Sequence, residues 1–299
     1  MTDAPGPGPA PLPARIEAPR LDPGLYLVST PIGAARDITL RALDVLNTAD
    51  LLAAEDTRVL RHLMDIHGVP LRGRRIVAYH DHNADRQRPA ILDALGRGLA
   101  VAYASDAGTP LVADPGYRLG RDAAGAGHRV HAVPGPSAAL AALTVSGLPS
   151  DRFLFAGFPP AAKGARRDWL ARWAGVDATV ILFESPRRVR ETLEILCETE
   201  ANRIMVICRE LTKRFEEVMR GTVAELLERI PAEGLRGEIV LVLDRPAPLV
   251  VGEGDVQAAL IARRGHMSMK DAAREVAGEL NMPRRDVYQI ALALERDGK

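Results

Sequence analysis

The sequence predicts an α/β protein in which two α/β subdomains face each other across a cleft, followed by a small helical, helix-turn-helix-like module. Three observations carry this. From Leu25 to Leu243, short runs rich in Val, Ile and Leu alternate with longer stretches of helical periodicity, the pattern of strands and helices in turn. Runs such as Leu99-Ala-Val-Ala-Tyr-Ala104 carry no charge, so their strands are covered on both faces, as in a parallel sheet flanked by helices. At 299 residues the chain also exceeds the ~100–150 residues usual for one domain.

Residues 1–23 hold seven prolines and few bulky apolar side chains, too little buried surface to offset ordering entropy, and read as a flexible arm. The first subdomain, 24–147, reads as strand 25–29, helix 37–48, strand 50–54, helix 57–66, strand 75–79, helix 84–97, strand 99–104, helix 117–126, strand 129–133 and helix 137–146. The stretch 147–178, with Phe153, Phe155, Phe158, Trp169 and Trp173, reads as a crossover. The second subdomain, 148–246, continues with strand 179–183, helix 187–198, strand 203–208, strand 214–221, helix 222–230 and strand 237–243. A hairpin partner for strand 203–208 implies a mixed sheet. Arg245-Pro-Ala-Pro248 breaks the pattern, and 252–299 forms the helical module: a helix near 255–263, a second capped by Ser268, a turn at Glu279–Pro283, and a last helix with Val287, Ile290, Ala291 and Leu294 on one face.

Composition limits the function. Apolar residues at 47% and charged residues at 26% match globular averages and exclude a wholly disordered, collagenous or coiled-coil chain. Thirty-nine basic residues balance 39 acidic ones, so any nucleic-acid contact must use a local patch. Two cysteines, Cys197 and Cys208, are too few for a disulfide framework or a four-thiolate metal site. No apolar run reaches the ~20 residues that span a bilayer, and no leader pattern is visible. The expectation is a cytoplasmic protein without membrane or metal.

Ligand sites in α/β sheets lie beyond the carboxyl ends of strands, where small residues let backbone amides approach a ligand. Four such loops stand out: Ser29-Thr-Pro-Ile-Gly33, Ala104-Ser-Asp-Ala-Gly-Thr-Pro-Leu-Val-Ala-Asp-Pro-Gly116, Val133-Pro-Gly-Pro-Ser-Ala138 and Phe183-Glu-Ser-Pro-Arg-Arg188. None has the spacing of a dinucleotide or P-loop fingerprint. Ser137 also suits a helix cap. Ala54-Glu-Asp-Thr-Arg58 places two carboxylates and a guanidinium at another strand end, equally suited to catalysis and to an internal ion pair capped by Asp56 or Thr57. His80-Asp-His-Asn83 lacks a further ligand at metal-binding spacing.

Together with Arg209-Glu-Leu-Thr-Lys213, Phe215-Glu-Glu217 and Gly237-Glu238, these motifs resemble in order the series of the ribosomal RNA small subunit methyltransferase I family, a branch of the tetrapyrrole-methylase superfamily. The resemblance runs from about residue 25 to the C-terminus. It implies S-adenosylmethionine in the cleft, a homodimer, and 2′-O-methylation of a cytidine ribose in the decoding region of 16S ribosomal RNA within the small subunit. It places the cofactor against Pro31, Gly33, Asp106, Ala107, Gly108, Thr109, Val112, Ser137, Ala138, Phe183 and Glu184. Strand-end logic then offers Glu55, Arg58 and Glu184 as catalytic residues, with Asp56 a further carboxylate nearby. Basic clusters offer Arg166, Arg167, Arg187, Arg188, Lys213, Arg284 and Arg285 for RNA. The family commonly carries Asn where Ala34 stands and Tyr where Phe183 stands, so those two positions cannot both be indispensable hydrogen-bond donors.

Two other readings compete. A tetrapyrrole methyltransferase of the same superfamily would have no need of the helical module or of the clusters around Arg166 and Arg187. A nucleic-acid-binding regulator would concentrate positive charge in its reading head, whereas 252–299 carries eight basic and eight acidic residues.

Overall fold

A computed structural model describes residues 18, 20–112, 116–246, 252–263, 266–280 and 282–297. Most of the predicted N-terminal arm, Asp114-Pro115, Pro248 and Arg264 lie outside the described residues. The chain forms two compact units, one ending at Pro246 and one beginning at Ala247.

The first unit contains two five-stranded sheets. One is parallel and comprises β1 (Gly24–Val28), β2 (Leu51–Ala54), β3 (Ile76–Ala78), β4 (Ala100–Ala104) and β5 (Val130–Val133), in the order β3-β2-β4-β1-β5. Every residue of β4 is buried, as its unbroken apolar run demands. Between these strands run α1 (Leu40–Thr48), α2 (Thr57–Ile66), α3 (Ala84–Gly96) and α4 (Tyr117–Gly125), with α5 (Ala138–Ser146) after β5. The first helix starts three residues later than the periodicity suggests. Thr39 accepts a hydrogen bond from the Ala42 amide and so caps α1, while Ala35–Asp37 form a separate short turn.

The second sheet comprises β6 (Phe153–Gly157), β7 (Thr179–Glu184), β8 (Ile204–Arg209), β9 (Glu217–Thr222) and β10 (Ile239–Leu243), ordered β6-β7-β10-β8-β9. It is mixed: β6 and β7 are parallel, and β10 runs antiparallel to both β7 and β8. Its helices are α6 (Lys163–Ala174), α7 (Val189–Glu200) and α8 (Val223–Arg229). The stretch read as a plain crossover therefore holds a strand and a helix. Helix α6 escapes periodicity because it buries only Arg166 and Leu170.

One helix joins the two sheets. Ala139, Ala142 and Leu143 of α5 pack with Ile32 from the first half and with Ile181, Val206, Cys208, Val240 and Val242 of the second sheet. The second unit is a trio of helices, α9 (Glu253–Ala262), α10 (Met269–Glu279) and α11 (Arg284–Asp297), around Val256, Leu260, Val276, Val287 and the small residues Ala272, Ala273, Ala277 and Ala291. Alanines at the contact let helices approach closely, and burying each Val or Leu contributes roughly 1.5–3 kcal/mol. Ser268 caps α10, accepting from the Asp271 amide at 3.2 Å.

Candidate functional site

Carboxyl ends of the parallel strands meet the second sheet at a cavity of about 370 Å³, within the ~300–1,000 Å³ typical of small-molecule sites. Ile32, Ala107, Gly108, Thr109, Val112, Ser137 and Ala138 line it from the first half. Phe158, Phe183, Glu184, Ser185, Pro186 and Gly237 to Val240 line it from the second.

The first wall is built from hydrogen bonds between loops. Gly108 and Thr30 exchange both backbone hydrogen bonds at 3.0 Å, and the Ser105 hydroxyl also donates to the Gly108 carbonyl. Gly108 sits at φ +78°, the left-handed region, which only glycine enters without cost. With its own amide engaged by Thr30, the neighbouring amides of Ala107 and Thr109 are the loop's candidates for a ligand. The Thr109 hydroxyl donates to the Pro136 carbonyl, fastening this loop to the one that opens α5. Ser137 caps that helix, accepting from the Leu140 amide at 3.5 Å. The second wall is aromatic: Phe183 meets Phe155 and Phe158 edge-on at 4.8 and 5.4 Å.

Pro31, Gly33 and Asp106 are not among the lining residues. Asp106 accepts from the Asp56 amide at 2.8 Å, tying β2 to the loop after β4. Gly33 is a joint between the halves: a Cβ there would lie 2.5 Å from the Thr212 hydroxyl oxygen, which accepts from the Ala34 amide at 3.1 Å.

The catalytic candidates divide in the same way. Glu184 has a fully buried carboxylate. It accepts from the Ser185 amide and the Thr192 hydroxyl, each at 2.6 Å, and is paired with Arg188 at 2.8 Å. Three donors on this carboxylate brace the start of α7 and make it a weaker base than a free one. Glu55 and Arg58 stand after β2, outside the lining residues. Arg58 is exposed and clamps Asp56 at 2.6 Å. Hydrogen bonds from the Arg58 side chain and amide lower the Asp56 pKa to about 2, so Asp56 is ionised and weakly basic.

Among the basic residues, Arg166 is the clear correction. It is 1% exposed, paired with Glu191 at 3.0 Å, and donates to the carbonyls of Pro160 and Ala161. Its guanidinium holds the loop before α6 onto α7 and has no surface for RNA. Arg167 pairs with Glu198, and Arg188 with Glu184. Lys213 bridges Glu210 and Glu238, both at 3.0 Å. Burial opposes its charge, but these two carboxylates outweigh burial and raise its pKa. Arg187 is exposed and forms no ion pair among the described residues. In the second unit, Lys270, Arg274, Arg284, Arg285 and Tyr288 line a hollow of about 540 Å³ together with Ala273. Ile32, Ser185 and Pro186 lie in loops the sequence singled out but were not named individually; Phe158 and the Ile239–Val240 part of the wall were missed, and the Gly237-Glu238 pair was visible only as a motif.

A profile of the tetrapyrrole (corrin/porphyrin) methylases matches residues 24–227, and one of the RsmI C-terminal HTH domain matches residues 250–295. A ribosomal RNA small subunit methyltransferase I from Mesorhizobium japonicum is 47% identical over 283 residues, covering 94% of this chain and 95% of that protein. The chain belongs to the ribosomal RNA small subunit methyltransferase I family. Members from Escherichia coli O157:H7 and Halalkalibacterium halodurans are 40% and 38% identical, covering 90% and 89% of this chain and 94% and 93% of their own lengths. The family's fold extends to more distant structures. A diphthine synthase superposes with a TM-score of 0.58 at 16% identity, covering 74% of this chain and 89% of its own. A uroporphyrin-III-C-methyltransferase from Thermus thermophilus gives 0.53 at 22% identity, covering 74% and 94%. Among the described residues no helix is long and apolar enough to cross a membrane, and no cluster of His, Cys, Asp and Glu could hold a metal.

Proposed function

We propose that the protein methylates the ribose 2′-hydroxyl of a cytidine in the decoding region of 16S ribosomal RNA, using S-adenosylmethionine, and does so on the small ribosomal subunit as a cytoplasmic homodimer. The observation that carries this reading is the cavity built at strand ends of both sheets, in a chain whose relatives at 38–47% identity bear the name of a small-subunit rRNA methyltransferase. Its two α/β subdomains would be 24–147 and 148–246.

The cavity suits the cofactor. Phe158, Phe183, Ile32 and Val112 offer apolar walls for a purine, the amides of Ala107 and Thr109 offer donors, and the small residues Ser137 and Ala138 leave room at the start of α5. When bound, S-adenosylmethionine would supply an electrophilic methyl carbon to the ribose oxygen, with its sulfur leaving as the neutral thioether and the hydroxyl proton passing to water. The chain's task is alignment, which can lower a barrier by roughly 7–11 kcal/mol. Glu238 borders the cavity and is held in place by Lys213. Glu55 and Arg58 would act on the acceptor side, beyond the cofactor. The basic hollow of the second unit supplies the local positive patch that net neutrality requires, with Tyr288 available for stacking on an unpaired base.

The test is methyl transfer from labelled S-adenosylmethionine to unmethylated small subunits, free 16S RNA and a porphyrinoid, followed by digestion to nucleosides. Label in 2′-O-methylcytidine from small subunits is expected. Label in the porphyrinoid, or on a base, would overturn the reading.

A further inference from the structure

A second cavity, of about 620 Å³, is lined by Arg187, Arg209, Glu217, Pro231, Glu233, Gly234, Leu235 and Arg236. It abuts the cofactor cavity along two segments. Glu184 to Pro186 line the first cavity and Arg187 the second; Gly237 and Glu238 line the first and Gly234 to Arg236 the second. Successive Cα atoms are ~3.8 Å apart, so at Pro186/Arg187 and at Arg236/Gly237 adjacent residues line the two spaces.

The charges are arranged for an anion. Arg187 and Arg236 are exposed, and among the described residues neither forms an ion pair. Arg209 is a quarter exposed and fixed by Glu217 at 2.9 Å, which leaves Glu233 as the carboxylate at this cavity without an ion pair among the described residues. The guanidiniums stand on a braced loop. Leu235 donates its amide to the Pro186 carbonyl at 3.0 Å, and Gly234 donates to Pro231 at 2.9 Å. Arg190 grips the Ile230 carbonyl at 2.7 Å. Gly234 has φ +84°, and a Cβ there would lie 2.5 Å from the Pro186 carbonyl oxygen. The absence of a side chain at Gly234 is what lets the loop lie this close to the segment carrying Arg187.

We propose that this second cavity holds a backbone phosphodiester of the RNA strand next to the ribose being methylated, with Arg187 and Arg236 as its ligands and Arg209 as the fixed cation behind them. The proposal rests on the RNA-methyltransferase reading and adds a phosphate subsite to it. A guanidinium fork matches phosphate oxygens in a way a lysine does not. A phosphate seated there would direct the adjoining sugar toward the segments that also line the cofactor cavity.

The experiment compares wild type, Arg187→Ala, Arg236→Ala, the double variant and Arg236→Lys, on unmethylated small subunits across a salt series. Calorimetric affinity for S-adenosylmethionine reports whether the first cavity is intact. The expected result is a KM for subunits raised at least ~10-fold in the double variant, with kcat within ~3-fold of wild type. The slope of log affinity on log salt should also flatten by ~0.7 for each phosphate that is no longer neutralised, and Arg236→Lys should recover part of the affinity. An unchanged KM and salt slope in the double variant would overturn the subsite while leaving the methyltransferase reading intact. If wild type methylates no RNA, that reading fails, and the subsite is judged on binding of a short single-stranded RNA. The same flattening in the double variant would support it, and an unchanged slope would overturn it.

Discussion

Replacing Glu184 by glutamine keeps the side-chain volume and removes the charge, so it separates a structural brace from a base. The carboxylate receives the Ser185 amide, the Arg188 guanidinium and the Thr192 hydroxyl, with Thr192 fully buried. Hydrogen bonds to an ionised group contribute about 1.5–3 kcal/mol each, against about 0.5–1.5 kcal/mol for neutral ones. Glutamine can retain its oxygen for Ser185 and Arg188 as a weaker acceptor. Its amide nitrogen then faces Thr192, whose hydroxyl must turn from donor to acceptor and leave its own proton without a partner. Arg188 is a quarter exposed, so its share is reduced by solvent screening. The sum is a loss of about 2–4 kcal/mol, equivalent to a fall in Tm of about 4–16 °C for a unit of this size. Scanning calorimetry measures the fall, and single-turnover methyl transfer, well below both melting temperatures, measures any chemical defect. A Tm within ~1 °C of wild type, joined to a rate reduced by ~10²–10⁴-fold as for a missing general base, would refute the bracing role.

Gly108→Val forces a β-branched residue into the left-handed region and presses its Cβ toward Ile32, 3.4 Å away. Affinity for S-adenosylmethionine should fall at least ~10-fold, about 1.4 kcal/mol, and unchanged calorimetric affinity in the folded variant would count against this loop as the cofactor wall. Burial pushes the Cys208 thiol up to about 12, so at pH 8 only about one molecule in 10⁴ carries the reactive thiolate. Iodoacetamide should label Cys208 only after denaturant unfolds the sheet, and mass spectrometry showing rapid native labelling would contradict the structure. Substituting Lys270, Arg284 and Arg285 together by alanine should weaken binding to small subunits and flatten its salt dependence by up to ~0.7–0.9 for each phosphate these side chains neutralise. Cofactor affinity should be unaffected, and an unchanged salt slope would remove the helical unit from RNA recognition.

What could be read in advance depended on how local the cause was. β4 is legible because an unbroken apolar run has to be covered on both faces, whatever surrounds it. The loops after β1, β4, β5 and β7 are legible because small residues and prolines at strand ends are a local signal. The wall formed by Gly237 to Val240 is not, since it reaches the cavity only because β10 inserts between β7 and β8, an order that no nearby residue dictates. Arg166 misled for a related reason. In Lys163-Gly-Ala-Arg-Arg167 every basic residue looks solvated, and only the packing of α6 against α7 decides that one of the two arginines turns inward to Glu191. Glu184 was placed at the cavity by its motif, while its hydrogen bond from Thr192, eight residues on, required the first turn of α7 to be in place.

Helix α5 has a consequence for how the chain is made. Its residues Ala139, Ala142 and Leu143 cover a sheet whose inserted strand, β10, is translated roughly a hundred residues later, which at ~5–20 residues per second is about 5–20 s. During that interval a helix of almost wholly apolar composition, Ala-Ala-Leu-Ala-Ala-Leu-Thr-Val-Ser, has no sheet to lie on. The nascent chain is therefore at its most adhesive after the first sheet can form and before Ile239–Leu243 emerge. A chain cut between α5 and β10 would keep the sticky surface permanently and should partition into aggregates.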